Sequence, residues 1–235
     1  MNWKAKSSTI LHLPTSWQEL QQGEYYQQLL EQYFADWFPQ ILGYHILNIG
    51  GLSGEINCHL PLRHQIVLSP KMNDNLAKLY QTHPDHTLLQ AHITELPFVD
   101  HSIDACLLVN TLNFSSDPHQ VLREVNRVLT DDGYLFLSLF NPLSILGFKR
   151  RLNRKSSQEY AFRTYMTWRV VDWLELLHFD ILAQQNLSLT KSFLGAPLTV
   201  IVAKKRVYPL TLEPQKVRFK KQNILRTAEA FRNCL

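Results

Sequence analysis

The sequence predicts an α/β fold built on a Rossmann-like, doubly wound sheet, and three observations predict it. Residues 44–49, 65–69, 104–109 and 134–139 are short, mostly apolar runs of strand length, as expected of strands covered on both faces of a parallel sheet. Between them, apolar residues recur at helical spacing. Turn and cap residues stand at the joints. Strands that alternate with helices need right-handed crossovers, and these wind helices onto both faces of one sheet.

The elements follow in order. From Ser16 on, Trp17, Leu20, Leu29, Leu30, Tyr33, Phe34, Trp37, Ile41 and Leu42 recur over Gln and Glu, which predicts amphipathic helices interrupted near Gly23. The strand 44–49 ends at the glycine turn Gly50-Gly51-Leu52-Ser53-Gly54, and Pro70 closes the strand 65–69. Residues 74–80 read as a helix and 87–90 as a third strand. After 104–109, Ser116-Asp117-Pro118 offers an N-cap and a first-turn proline ahead of Val121, Leu122, Val125, Val128 and Leu129 on one helical face. Asp132-Gly133 is the turn into 134–139. The pattern lapses after Asn141-Pro142 through the basic residues Lys149, Arg150, Arg151, Arg154 and Lys155, a loop or short helices. It returns with a helix over 167–177 and an antiparallel pair, 181–189 and 198–204, joined through Gly195-Ala196-Pro197.

Composition bounds the function. In 235 residues, 45% are hydrophobic and 19% charged, with 8 Gly and 11 Pro, which excludes a disordered or collagen-like chain. Three cysteines, Cys58, Cys106 and Cys234, form no CxxC pair, so neither zinc nor disulfide exchange is expected, and a reducing, cytoplasmic setting is. The start lacks an apolar leader and no run is long enough to span a bilayer, so no membrane partner is expected. Ten histidines include His83-Pro84-Asp85-His86, read as loop sequence without a third ligand, and no HExxH occurs, so no metal is expected. Charge is uneven: 141–155 holds five basic and no acidic residues, and 203–235 nine basic and two acidic. Such segments suit a nucleic acid or an ordinary solvated surface, and the second reading is preferred. The stretch 216–235 reads in the same way, as a helix with a basic face.

Three blocks carry a family likeness. Leu47-Asn48-Ile49-Gly50-Gly51-Leu52-Ser53-Gly54, then Leu96-Pro97-Phe98-x-Asp100-x-Ser102-Ile103-Asp104, then Val121-Leu122-Arg123-Glu124-Val125-x-Arg127-Val128-Leu129 resemble a class I S-adenosylmethionine-dependent methyltransferase. Phe140-Asn141-Pro142-Leu143-Ser144, the helix end at Trp173–Phe179 and Val202–Val207 are similar to a bacterial subgroup of these proteins. The resemblance implies a seven-stranded sheet, mostly parallel with an antiparallel last strand. It divides the chain into N-terminal helices packing on the core (1–43), a methyltransferase-like domain (44–207) and a basic tail (208–235). It implies S-adenosylmethionine as cofactor across the carboxyl ends of the first, second and fourth strands, the position where open α/β sheets bind ligands. Carried over to this sequence, the cofactor-binding residues are Asn48, Gly50, Gly51, Gly54, Ser69, His92, Ile93 and Asn110. Asn141 and Tyr165 are candidates for the acceptor pocket. No catalytic base is assigned, because the sulfonium is already activated and alignment of donor and acceptor at roughly 3–3.5 Å supplies most of the rate.

The cofactor motif departs from the family pattern at its acids. Asn48, Ser69 and His92 stand where the family has carboxylates, and Leu52 where it has a glycine. A hydroxyl engages one ribose oxygen without charge assistance, a loss of roughly 1–2 kcal/mol against a carboxylate. Capability remains: Asn48 can accept from an amino group, His92 can meet an adenine edge, Ile93 can pack on its face, and the backbone N–H groups of Gly50, Gly51 and Gly54 are expected to stay available. Three functions follow in order of preference: a methyltransferase acting on an unidentified acceptor, small or macromolecular; a silent relative that keeps the fold as a binding module; and a basic nucleic-acid binder.

Overall fold

The computed structural model describes residues 11–20, 22–58, 63–71, 74–81, 85–142, 162–188 and 196–206. Seven strands form one sheet: β1 (His45–Ile49), β2 (His64–Ser69), β3 (His86–Gln90), β4 (Ile103–Val109), β5 (Leu129–Phe140), β6 (Phe179–Leu187) and β7 (Leu198–Lys205). Their order across the sheet is β3-β2-β1-β4-β5-β7-β6. The first five run parallel, while β7 pairs antiparallel with both β5 and β6. The architecture is therefore the seven-stranded sheet that the resemblance implies. Among the described residues the antiparallel strand comes last, and it sits inside the sheet, between β5 and β6.

Strand periodicity sorts the core into two layers, because successive side chains point to opposite faces. Leu47 and Ile49 of β1, Cys106 and Leu108 of β4, and Ile201 and Ala203 of β7 pack with Val121, Leu122 and Val125 of the helix Pro118–Val128 and with Val170 and Leu174 of the helix Thr167–Leu176. The alternate residues, Ile46, Ala105, Leu107, Val109, Phe136, Val200 and Val202, face Tyr26, Leu30 and Phe34 of the helix Gly23–Ala35 together with Trp17 and Phe38. Phe136 meets Phe34 and Phe38 edge-on, each pair with ring centroids 5.4 Å apart. Among the described residues there is no helix long and apolar enough to cross a membrane.

The helices, in chain order, are α1 (Gly23–Ala35), α2 (Gly51–Gly54), α3 (Asp74–Gln81), α4 (Thr111–Phe114), α5 (Pro118–Val128) and α6 (Thr167–Leu176). Several boundaries shift from the sequence reading, each for a local reason. Gly23 starts α1 where an interruption was expected: a Cβ there would run into the Trp17 carbonyl, and Gln22 before it is left-handed with φ 60°. Asp117 is the N-cap of α5, its Oδ1 accepting from Gln120 N at 3.1 Å, with Pro118 in the first turn. Asp132-Gly133 lies within β5, where Asp132 takes φ 66° and the pairing with β4 shifts register. His86 opens β3, so it is a strand residue where a loop residue was expected; residues 82–84 lie outside those described. The short helices α2 and α4 had no separate signal. Most of the basic stretch 141–155, the Gly195 joint and everything after Arg206, the proposed 216–235 helix included, also lie outside the described residues.

Cys58 and Cys106 are buried and free, and burial pushes both thiols up from their ordinary pKa. No group of three or more His, Cys, Asp or Glu among the described residues is placed to hold a metal.

Candidate cofactor site

The carboxyl ends of β1, β2 and β4 meet at one edge of the sheet, and the glycine turn forms where β1 leaves it. Gly50 takes φ +94°, a conformation that L side chains rarely adopt, and its N–H donates to Leu68 O of β2 at 2.8 Å. The chain then coils into α2, where Gly54 N–H donates to Gly50 O at 3.1 Å. Two of the three turn amides expected to be available are thus satisfied by the backbone itself. That corrects the sequence reading: the tight turn uses them for its own closure. Ser53 fastens the turn from below, donating to Ile49 O at 2.7 Å while Val109 N donates to its hydroxyl oxygen at 2.9 Å. Thr111 donates to the same Ile49 carbonyl at 2.7 Å.

Each glycine of the turn answers to a different neighbour. A Cβ on Gly54 would stand 2.8 Å from Val67 Cγ1 and 3.0 Å from Leu76 Cδ2, so this glycine serves the packing of α2 on β2 and α3. A Cβ on Gly51 would lie 2.6 Å from both Cα and the carbonyl carbon of Thr15, and nearer still to its oxygen. At Gly50 it would meet Leu13 Cδ2 at 3.0 Å and Thr111 Oγ1 at 3.3 Å. The N-terminal segment therefore runs directly over the turn.

The remaining predicted residues surround this edge. Asn48 is fully buried, one residue before the end of β1, in register with Val67 of β2 and Leu107 of β4. Ser69 closes β2, is 1% exposed and stands in register with Gln90 of β3. Asn110, just past β4, is fully buried and left-handed, with φ 54°. Ser138 Oγ donates to its Oδ1 at 2.6 Å and Asn110 N donates to Ser138 O at 3.0 Å, while its Nδ2 donor has no partner. A buried amide donor left open costs about 1–3 kcal/mol, so Asn110 offers an unclaimed donor at the sheet edge.

His92 and Ile93 line a cavity of about 200 Å³. Its other walls are Pro70 and Lys71 after β2, Thr94, the turn Phe114–Ser116, and Leu11, His12 and Leu13 of the N-terminal segment. His92 is exposed and Ile93 buried. The loop that carries them is held by the two blocks of strongest family likeness. Arg127 donates to Phe98 O (2.8 Å), Leu96 O (2.9 Å), Asp100 Oδ1 (2.6 Å) and Glu124 Oε2 (2.8 Å), and Leu96 N donates to Glu124 Oε2 at 2.9 Å. The hydrogen bond from Arg127 and the one from Leu96 hold the Glu124 carboxyl below its ordinary pKa against the opposing effect of burial.

The acceptor candidates lie apart from this cavity wall. Asn141 N donates to Pro197 O at 2.9 Å beyond β5. Tyr165 packs edge-on against Trp173 of α6 with centroids 5.3 Å apart, and burial pushes its phenol up. What brings the 162–165 segment to the sheet edge is Asn113, which sequence reasoning missed. Its Nδ2 donates to Arg163 O (2.6 Å), its carbonyl accepts from Arg163 N (2.7 Å), and its Oδ1 accepts from Phe140 N (3.1 Å). Phe114, Phe140 and Phe162 cluster around it at centroid distances of 5.0–6.1 Å. A lone Asn between apolar residues carries no signal of such a role. Leu13, Lys71 and Ser115 were equally silent.

Strand order and the glycine turn after β1 are those of the class I methyltransferase fold. The methyltransferase-domain family matches residues 47–137, from β1 into β5. This chain belongs to the class I S-adenosylmethionine-dependent methyltransferases, and S-adenosylmethionine is the cofactor of that family. The chain is 38% identical over 237 residues to the uncharacterized protein YafS of Escherichia coli (strain K12), covering 94% of this chain and 93% of that one. Solved structures share the fold at lower identity. A SAM-dependent methyltransferase of Methanosarcina mazei matches 72% of this chain and 97% of its own at 20% identity, with a TM-score of 0.54. YcgJ of Bacillus subtilis matches 77% and 99% at 17%, with 0.58. The [4+2]-cyclase SpnF matches 79% and 82% at 14%, also with 0.58.

Proposed function

We propose that the chain transfers the methyl group of S-adenosylmethionine to an acceptor, a small molecule or a macromolecule, presented beyond β4 and β5. The observation that carries this reading is the cavity walled by His92 and Ile93 at the carboxyl edge, beside the turn that starts at Gly50. The residues present fit an adenosyl group: Ile93 offers an apolar face, His92 a ring nitrogen for the base edge, and Ser69 a hydroxyl for the ribose. Asn48 and the open Nδ2 of Asn110 would serve the methionyl end. When bound, the cofactor supplies an activated methyl on a sulfonium. The chain's own contribution is position: Asn110, fixed by Ser138, holds a donor rigidly at the end of β4, and Asn141 and Tyr165 would shape the acceptor side. No proton-transfer residue is required by this chemistry.

Calorimetric titration with S-adenosylmethionine and S-adenosylhomocysteine tests the reading. Dissociation constants of about tens of micromolar or tighter, lost in Gly50→Trp, are expected, corresponding to roughly 6 kcal/mol or more of binding energy. No heat at millimolar ligand from folded protein overturns it. A second reading, a silent relative that keeps the fold as a binding module, is favoured by one specific observation: Thr15 packs on Gly51, so the turn is covered by the chain's own backbone. The third reading, a basic nucleic-acid binder, rests on charge alone and predicts a steep loss of affinity with salt.

A further inference from the structure

We propose that residues 11–15 form a movable wall of the cofactor site, hinged at Trp17, which must swing away to admit the cofactor and then closes over it. The inference rests on the cofactor reading above. Its first support is the backbone-on-backbone contact at the turn: with Thr15 Cα and carbonyl carbon 2.6 Å from the position of a Gly51 Cβ, no ligand fits between the strap and Gly51. This second glycine is thus accounted for by the strap, whereas Gly50 answers to its own φ of +94°. The second support is size. The cavity left beneath Leu11, His12 and Leu13 measures about 200 Å³, below the roughly 300–1,000 Å³ typical of sites for ligands of this class. It has room for the nucleoside end while Leu13, 3.0 Å from the Gly50 Cβ position, closes the way toward the turn.

The hinge is set by the most deeply held residue of the segment. Trp17 is fully buried, its indole Nε1 donates to Leu52 O at 3.0 Å and its backbone N donates to Glu55 Oε2 at 2.9 Å, so it is nailed to α2. Thr15 donates from its N–H to Glu19 Oε2 at 3.0 Å and from its hydroxyl to Glu19 Oε1, solvent-exposed bonds across the hinge that opening must break. Leu11 and Leu13 are only partly buried and His12 is exposed; Pro14 is buried, so opening must uncover it. Leu52, standing where the family has a glycine, contributes the carbonyl that fixes the anchor.

Stopped-flow binding of S-adenosylhomocysteine to the full chain, wild type against Leu13→Ser, tests the wall. In the wild type the observed rate is expected to level off with ligand concentration at the rate of opening, and in Leu13→Ser the plateau is expected to rise at least about tenfold as the closed population falls. Binding by the variant alone also supports the wall, as one shut too firmly to open unaided. Rates that climb linearly and identically in both proteins overturn it while leaving the cofactor reading intact. Absence of binding in both folded proteins overturns both. Amide exchange checks the hinge: ligand should change protection at residues 11–13 and leave the Trp17 amide unchanged, and a change spreading through Trp17 into α1 overturns the hinge placement.

Discussion

One guanidinium ties together the two sequence blocks on which the family likeness rests. Arg127 joins α5 to the 96–100 loop by bonds to two carbonyls and two carboxylates, and that loop leads back to His92 and Ile93. Both blocks were legible because they are scaffold: their geometry is needed whatever ligand the edge binds. Asn48, Ser69 and His92 were legible only as positions, since an amide, a hydroxyl and an imidazole each have ordinary structural uses at strand ends. Arg127→Ala should lower stability by about 1–3 kcal/mol at pH 7, a range discounted for the partial exposure of the pair. The sign with pH follows from Glu124. Its folded pKa lies below the ordinary 4.5, so its contribution is full above that value and is lost as pH falls through the lowered one. The gap between wild type and Arg127→Ala in urea midpoints should therefore narrow below pH 4.5.

At the scale of elements, the 16–20 turn behaves as part of the site and α1 as part of the core, although one apolar pattern, interrupted only near Gly23, covers both. Helical periodicity sees only which face is apolar, and Trp17, Leu30 and Phe34 share one buried cluster. Glu55 shows the difference in chemistry: burial pushes its carboxyl up, and the bond from Trp17 N only partly offsets this. Trp17→Ala should cost about 3–5 kcal/mol in chemical denaturation. Trp17→Phe keeps most of the buried surface and forfeits the bond to Leu52 O, leaving that carbonyl unpaired, and should cost about 1–3 kcal/mol. If the two variants cost the same, the indole N–H is not what fixes the anchor. The short helices α2 and α4 escaped the sequence because four residues are too few to show a period, and tertiary bonds from Ser53, Thr111 and Asn113 shape them.

Across the whole molecule, strand alternation made the doubly wound architecture readable, whereas the strand order was not, since order depends on pairings between distant segments. The placement of β7 is the clearest case. It is the last described strand, yet it lies between β5 and β6 and supplies the register partner of every β5 residue from Tyr134 to Phe140. While the chain is being synthesised, β1 to β5 emerge first and can pair among themselves, but β5 must wait with a whole row of open backbone groups until residue 205 has been made. Such an open edge invites pairing with another copy. A chain that stops before Leu198 should accumulate as aggregate, with β-structure by circular dichroism but no cooperative melt, while the full chain remains dispersed. Newly made protein is thus most exposed to misassembly over the interval in which its last strands are still on the ribosome.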